Sequence, residues 1–313
     1  MNKIIVCLLF SVFSRLFADI ASTPASGHSK HWDYERNGPD TWLHKFDHCK
    51  GKSQSPIDIQ TSQVRYDSKL DNLNLTGYTN INTTWNITHN GHTIVVTPSK
   101  RTKISMSGAK LMDVFNLLHF HIHWGLNVYQ GSEHTIDGQK YPLEIHFVHN
   151  TTSNSRLAAL GVLYKLEPTD NVQLNDFLDI ISKILNETTM IEQQVIDISK
   201  LLPPRNKTNS LRFYRYNGSL TTPPCNEAVT WTLLEYPVPI SARQLQVFQH
   251  NSVRWNFRPI QKLHTRHVIA NFKPESVNNE DKHCACETKN NGIKLNYTIM
   301  FLLASLFINF LNV

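Results

Sequence analysis

The chain has 313 residues, of which 40% are hydrophobic and 18% charged, with a formal net charge of +6. That balance excludes a disordered polymer, and the length allows one large domain or two small ones. Basic residues are scattered apart from short clusters such as Lys100-Arg101-Thr102-Lys103; a nucleic-acid binder concentrates them in a stripe, so that class is set aside.

Lys3, the apolar run Ile4 to Phe13 and then Ser14 to Ala18 have the order of a secretory signal peptide. Cleavage after Ala18 assigns residues 1–18 to it, with Ala21 as a second candidate site. The run is too short to span a bilayer as an uncleaved anchor. From about His31 to Phe272 there is no repeat and no low-complexity linker, so residues 19–280 are predicted to hold one domain. Predicted strands follow in order: Trp85 to Thr88, Thr93 to Thr97, Leu117 to Trp124, Leu143 to His149, Leu160 to Tyr164 and Val229 to Tyr236. Gly, Pro and Asn clusters separate them. Helical spacing is found over Gln173 to Leu185, with Val172, Leu174, Phe177, Leu178, Ile181 and Leu185 on one face; Ser241 caps a second helix running to Gln249. The fold class is a β-dominated α+β domain.

Both ends bear on the compartment. Tyr297 to Val313 is apolar, is broken by Asn309 and Asn312, and has no basic flank after it. A spanning helix takes about 20 apolar residues and a positive inside flank. Upstream lie the polar stretch Glu287 to Asn296 and small residues at Cys284-Ala285-Cys286 or Asn290-Asn291-Gly292. Small site, polar spacer (residues 281–296) and apolar tail (residues 297–313) read as a GPI-type lipid-anchor signal, the alternative being a single C-terminal transmembrane helix. Either arrangement puts the domain at the outer cell surface. Asn-x-Ser/Thr triplets at Asn74, Asn82, Asn86, Asn150, Asn186 and Asn206 are glycosylation candidates. Asn296 leaves with the tail, and Asn217 is left out of the candidates. Five cysteines are present. Cys7 leaves with the signal, and Cys284 and Cys286 are too close together to bond easily. Cys49 and Cys225 remain inside the folded region and are paired, as an oxidising compartment allows.

The run Leu117-Leu118-His119-Phe120-His121-Ile122-His123-Trp124 alternates strictly. In a strand His119, His121 and His123 share a face, with Leu118, Phe120 and Ile122 on the other. Alternate residues are roughly 6.5–7 Å apart, a span across which two imidazoles can converge on one ion. Leu143-Glu144-Ile145-His146-Phe147-Val148 is a second such run, and the intervening loop with Gly131, Gly138 and Pro142 lets it return antiparallel. Three neutral imidazoles leave one coordination position open, the mark of a catalytic zinc site. Hydrogen-bonded core histidines explain the same spacing, and periodicity alone does not choose between them.

The chain resembles the alpha class of carbonic anhydrases, from about His31 to Lys273. The resemblance rests on segments in a fixed order. They are His31-Trp32-Asp33-Tyr34 with Asn37-Gly38-Pro39, Gln54-Ser55-Pro56-Ile57-Asp58-Ile59 and Asn90-Gly91-His92. Then come Phe120-His121-Ile122-His123-Trp124-Gly125, Gly131-Ser132-Glu133-His134-Thr135, Glu144 to His149, Ser219-Leu220-Thr221-Thr222-Pro223-Pro224 and Trp231. It implies a large twisted, mainly antiparallel sheet with a zinc in a cone, and reversible hydration of carbon dioxide to bicarbonate and a proton. Zn²⁺ on His121, His123 and His146 lowers the pKa of its water to about 7, so that hydroxide attacks the substrate.

The resemblance also implies residue roles. Thr221 accepts a hydrogen bond from the zinc-bound hydroxide and Glu133 fixes that hydroxyl. Thr222 stands at the substrate mouth. Glu144 accepts the free ring N–H of His146, and the Asn256 carbonyl supports another ligand. His92 is the proton shuttle, an imidazole being able to carry protons near neutrality; Asn90-Gly91 is equally a hairpin turn signal. Tyr34 and Asn90 order the connecting water. Val148, Leu220, Val229 and Trp231 line the apolar pocket, with Ala159 where the family often has valine. His119 stands where the family commonly has a glutamine supporting the first metal histidine. Cys49 and Cys225 align with the disulfide of extracellular members, which tethers the loop carrying Thr221. The membrane-anchored, GPI-type members fit best, and the alternative is an inactive anhydrase-like ectodomain for adhesion or ligand binding. The sequence leaves the oligomeric state open.

Overall fold

Strand-forming runs are short and turn-bounded, and in the computed structural model they assemble side by side. Residues 31–100, 102–153, 156–186, 189–204, 210–249 and 253–274 are described. The signal peptide, the spacer and tail at 281–313, Cys284, Cys286, Asn206 and Asn296 lie outside them.

In chain order the strands are β1 (Asp58–Ile59), β2 (Arg65–Tyr66), β3 (Leu73–Thr76), β4 (Thr84–His89), β5 (Ile94–Pro98), β6 (Ser105–Gly108), β7 (Phe115–Trp124) and β8 (Thr135–Ile136). They continue as β9 (Leu143–Asn150), β10 (Leu157–Glu167), β11 (Met190–Val195), β12 (Phe213–Gly218), β13 (Val229–Leu234), β14 (Val238–Ser241) and β15 (Ile269–Ala270). Helices are α1 (Pro39–Lys45), α2 (Asn175–Asn186) and α3 (Ala242–Gln249). Among the described residues one sheet holds 13 strands, its main path running β11-β4-β5-β7-β9-β10-β13-β12-β15-β2. Most neighbours are antiparallel. The pairs β10–β13, β10–β14 and β15–β2 are parallel, so the sheet is mixed.

All six predicted strands form. β10 extends beyond its predicted span at both ends, and β13 stops at Leu234, short of Tyr236. The strand β7 alternates, but not in one phase. Phe115 and Leu117 are buried in the main core, and so are Phe120, Ile122 and Trp124. Register slips between Leu117 and His119; one extra residue there moves the core-facing set from odd to even positions. Leu118 is therefore half-buried and does not pack with Phe120 and Ile122 as predicted.

The main core lies against the face that bears Phe120, Ile122 and Phe147, where Phe177, Leu178 and Ile181 of α2 cover it. The apolar spacing predicted from Val172 breaks at its start. Val172–Leu174 is a 3₁₀ turn, and Val172 is 74% exposed. Ahead of α3, Ser241 Oγ accepts from the Gln244 amide at 3.1 Å, and Gln244 Oε1 accepts from the Ser241 amide at 3.3 Å. This reciprocal capping box stops the chain from continuing as strand. At the other edge of the fold Cys49 and Cys225 form a disulfide, packed with Tyr34 and Trp42.

Among the glycosylation candidates, Asn74 and Asn82 are exposed. Asn86 is half-buried, its Oδ1 accepting from Ser99 Oγ and the Gln193 amide. Asn150 corrects the prediction. It is 5% exposed at the end of β9, between β7 and β10, and leaves an oligosaccharide no exit. The backbone of Asn186 ends α2.

His149 of β9 is wholly buried, with Nε2 facing the Tyr78 hydroxyl at 2.8 Å and Nδ1 facing the Ala158 carbonyl at 3.3 Å. A carbonyl only accepts, so Nδ1 carries a proton and donates it to Ala158. Burial lowers its pKa from 6.5 to about 4, the Ala158 contact opposing it. A histidine with a lowered folded pKa binds fewer protons folded than unfolded, so stability falls as pH drops through that window. Urea unfolding measured from pH 6.5 to 4 should lose on the order of 3 kcal/mol from this group. His149→Asn should show a shallower acid slope; an unchanged slope would refute the assignment.

Candidate metal centre

The pairing of β7 with β9 sets His121 opposite His146, and His123 opposite Glu144. Ring centroids of His121 lie 5.0 Å from His123 and 5.2 Å from His146, and those of His123 and His146 are 4.5 Å apart. One ligand-capable atom from each of the three falls within 4.8 Å of the others.

The outer nitrogens of two rings are already engaged. His123 Nδ1 lies 2.6 Å from the Asn256 carbonyl oxygen, and His146 Nε2 lies 2.7 Å from Glu144 Oε1. Both partners only accept, so both ring nitrogens donate. The remaining atoms, His123 Nε2 and His146 Nδ1, are then bare lone pairs, and they face each other at 3.1 Å. Two acceptors at that distance repel unless a cation lies between them. Two nitrogens bound at 2.0–2.1 Å to one tetrahedral ion are about 3.3 Å apart, so the donor set fits zinc. Burial lowers the pKa of all three histidines, that of His123 to about 4, which keeps them neutral as metal ligation requires.

His134, Glu144 and His146 form a second candidate cluster. Its atoms are satisfied among themselves. Glu144 Oε1 accepts from His134 Nδ1 and His146 Nε2, each at 2.7 Å, and Glu144 Oε2 accepts from the Glu133 and His134 amides. His134 Nε2 is 2.6 Å from the Tyr216 hydroxyl. This network fixes the orientation of the His146 ring and leaves the Glu144 oxygens already paired.

Two buried carboxylates have opposite character. Burial raises Glu144, but His134 and His146 outweigh it and hold the group well below the usual carboxylate range. For Glu133 burial wins, and its pKa is raised despite His146, Thr221 and the Arg258 amide. Glu133 Oε1 accepts from that amide at 2.8 Å. Its Oε2 lies 3.4 Å from His123 Nε2; the Thr221 hydroxyl acts on this carboxylate, yet Oε2 lacks a hydrogen bond of good geometry.

Around the imidazoles the sheet supplies an apolar row. His119 pairs with Val148, Val148 with Ala159, and Ala159 with Trp231 across successive strands. Val229 and Trp231 are buried, and Leu220 is half-buried beside them. The loop with Thr221 and Thr222 is closed by the Cys225 amide on the Thr222 carbonyl and by the Leu220 amide on Asn226. His119 lies beside His121 on β7. Its ring centroid is 5.4 Å from that of His121, tilted by 36°, and no hydrogen bond joins the two rings.

On the hairpin between β4 and β5, Asn90 Oδ1 accepts from the His92 and Thr93 amides, so its side chain builds the turn. Tyr34 is buried, and burial raises its pKa well above the usual phenol value. Burial also lowers the His92 pKa, His31 and His89 adding to it and Asp33 opposing.

Several site residues had no role in the sequence reading. Trp32 stacks on His92 with centroids 3.8 Å apart and planes 10° apart. His134 stood in a quoted motif without a role, and Arg258, Tyr216 and Gly161 were not singled out. A Cβ on Gly161 would meet Leu233 Cδ1 at 2.7 Å and Glu144 Oε1 at 3.2 Å, so that glycine makes the space for the carboxylate behind His146.

Fold and site together bring three imidazoles onto one sheet face in an arrangement that could hold a metal ion. The family model of the eukaryotic-type carbonic anhydrase matches residues 37–272. The chain is 34% identical to putative carbonic anhydrase 3 of Caenorhabditis elegans over 79% of its length and all of that protein. It is 35% identical to carbonic anhydrase 1 of Mus musculus over 78% of its length and 99% of that protein. The chain belongs to the eukaryotic-type carbonic anhydrase family.

Gly161→Ala should displace the Glu144 carboxylate and lower zinc affinity about tenfold, as loss of an outer-shell partner does. Chelator competition on the folded variant measures this. Parental affinity would show that the glycine is needed for packing alone.

Proposed function

We propose that the protein catalyses reversible hydration of carbon dioxide to bicarbonate and a proton at the outer cell surface, with zinc on His121, His123 and His146. The observation that carries the reading is the pair of bare nitrogens, His123 Nε2 and His146 Nδ1, meeting at 3.1 Å with their outer nitrogens locked. Zinc at that point supplies a Lewis acid and a water that ionises near neutral pH.

The chain's own groups do the rest. Glu133, held through Oε1, keeps Oε2 for the Thr221 hydroxyl, so Thr221 turns a lone pair toward the attacking water and orients it. Val148, Leu220, Val229 and Trp231 exclude water from a pocket fitted to a small linear apolar molecule, and Thr222 stands at its mouth. Ala159 leaves that wall one branched side chain smaller than valine would. Asn256 and Glu144 fix the tautomers of His123 and His146. His92 carries the proton outward, with Tyr34 and Asn90 flanking its path. Stacking on Trp32 restricts the His92 ring to one orientation.

Surface location rests on the signal-like residues 1–18 and on the spacer and apolar tail at 281–313. No helix of the described residues is long and apolar enough to cross a membrane. A GPI-type anchor is the reading proposed, and release from intact cells by a phosphatidylinositol-specific phospholipase supports it; retention after treatment favours a transmembrane tail.

Stopped-flow hydration with zinc content measured in parallel tests the chemistry. The parent should bind one zinc and hydrate carbon dioxide, and His121→Ala should lose both. Thr221→Val should keep the zinc and lose about a hundredfold in turnover, as misorientation does. His92→Ala should slow turnover in a way that added imidazole buffer restores. A zinc-loaded parent no faster than His121→Ala would overturn the enzyme reading and leave the inactive ectodomain.

A further inference from the structure

Four Asn-Gly pairs occur in the chain: Asn37-Gly38, Asn90-Gly91, Asn217-Gly218 and Asn291-Gly292. Such pairs are where a backbone amide can attack the preceding side-chain amide, because glycine puts no Cβ in the way. The first three lie among the described residues, and their surroundings differ.

At Asn90 every group that the reaction needs is present. Oδ1 accepts from the His92 amide at 3.0 Å and the Thr93 amide at 2.9 Å, two donors aimed at the oxygen on which negative charge develops. The attacking nitrogen, that of Gly91, donates to His89 Nδ1 at 3.4 Å, so a neutral imidazole stands ready to take its proton. Burial keeps the His89 ring on the neutral side of its usual range. Gly91 has φ +87°, and a Cβ there would meet nothing within 4 Å, so no other part of the fold crowds the turn. The leaving nitrogen, Asn90 Nδ2, is exposed and has no hydrogen bond among the described residues.

The other two pairs lack these features. Asn37 Nδ2 is tied to Asp33 Oδ2 at 3.1 Å, and Gly38 is crowded by the Glu35 carbonyl. Gly218 is held in the sheet opposite Val229 and sits against Ser55.

We propose that Asn90 is a site of self-modification, in which the folded hairpin promotes conversion of the Asn90 amide to a carboxylate. Gly91 N forms a bond to Asn90 Cγ as its proton passes to His89 Nδ1, and the carbonyl electron pair moves onto Oδ1. That pair returns as the Cγ–Nδ2 bond breaks, and Nδ2 leaves as ammonia with a proton from solvent. One water then opens the cyclic imide to aspartate or isoaspartate. The sum is amide plus water giving carboxylate and ammonium, with no oxidant or reductant. The product places a negative charge two residues from His92, whatever His92 does in the reaction, and raises its pKa.

The test is peptide mapping by mass spectrometry after incubating the full chain in heavy-oxygen water at neutral pH, native and denatured in parallel. Asn90 should convert about tenfold faster in the native protein than in the denatured chain, while Asn37 and Asn217 convert more slowly native than denatured. In His89→Gln, which keeps an acceptor and loses the base, the native rate at Asn90 should fall about tenfold. A native rate at Asn90 equal to or below the denatured rate overturns the proposal, as does a parental rate in folded His89→Gln. If that variant does not fold, the native-to-denatured ratio of the parent decides alone.

Discussion

The register between β7 and β9 is the constraint on which the site depends. It sets His121 against His146 and His123 against Glu144, so the three imidazoles and the carboxylate behind one of them belong to a single patch of sheet. Side chains in a strand alternate faces, and a slip of one residue would exchange His146 for Phe147 or Ile145. The core enforces this register from the other side, because Phe120, Ile122, Ile145 and Phe147 must all stay buried together. The bulge at Leu118 serves the same end. It lets Phe115 and Leu117 reach the core from odd positions while leaving the odd-numbered histidines on the other face.

Around that patch, buried charge is managed by pairing rather than by exposure. Glu144 is ionised because two imidazoles and two amides meet its oxygens. Glu133, a short distance away, has one oxygen on a backbone amide and the other left for a hydroxyl, and burial keeps its proton affinity higher. The surroundings of these two carboxylates push their proton affinities apart, as suits one for orienting an imidazole and the other for orienting a hydroxyl. The sequence places both on the chain, but it cannot show which oxygen meets which donor.

Legibility followed the range of the interactions. Alternation at His119 to Trp124 and Leu143 to Val148 is local, so the two central strands and their shared histidine face could be read directly. The capped helix after Ser241 could be read for the same reason. β3 and β6 are only four residues long and β11 is polar in its middle, so none of the three carries a run long enough to stand out. The bulge at Leu118 leaves one mark in the letters, the double Leu117-Leu118 where apolar positions change from odd to even, and a run read from Leu117 onward passes over it. The two tautomer locks were only partly in the spacing: Glu144 lies two positions before His146 on the same strand, but Asn256, which meets His123, comes from a distant loop. His134, Tyr216 and Gly161 act through contacts that exist only once β9, β10 and β12 share a sheet.

The separations along the chain also rank the parts of the centre by how much of the polypeptide each requires. His123 and His146 are 23 positions apart, whereas His123 and Asn256 are 133 apart, and Glu133 and Arg258 are 125 apart. Closing a longer loop costs more conformational entropy, though only logarithmically. A nascent chain still lacking its final sixty or so residues already contains the three imidazoles. It does not yet contain the carbonyl that selects the His123 tautomer or the amide that anchors Glu133. The three imidazoles and the distant groups that orient His123 and Glu133 are thereby separated in the order of synthesis.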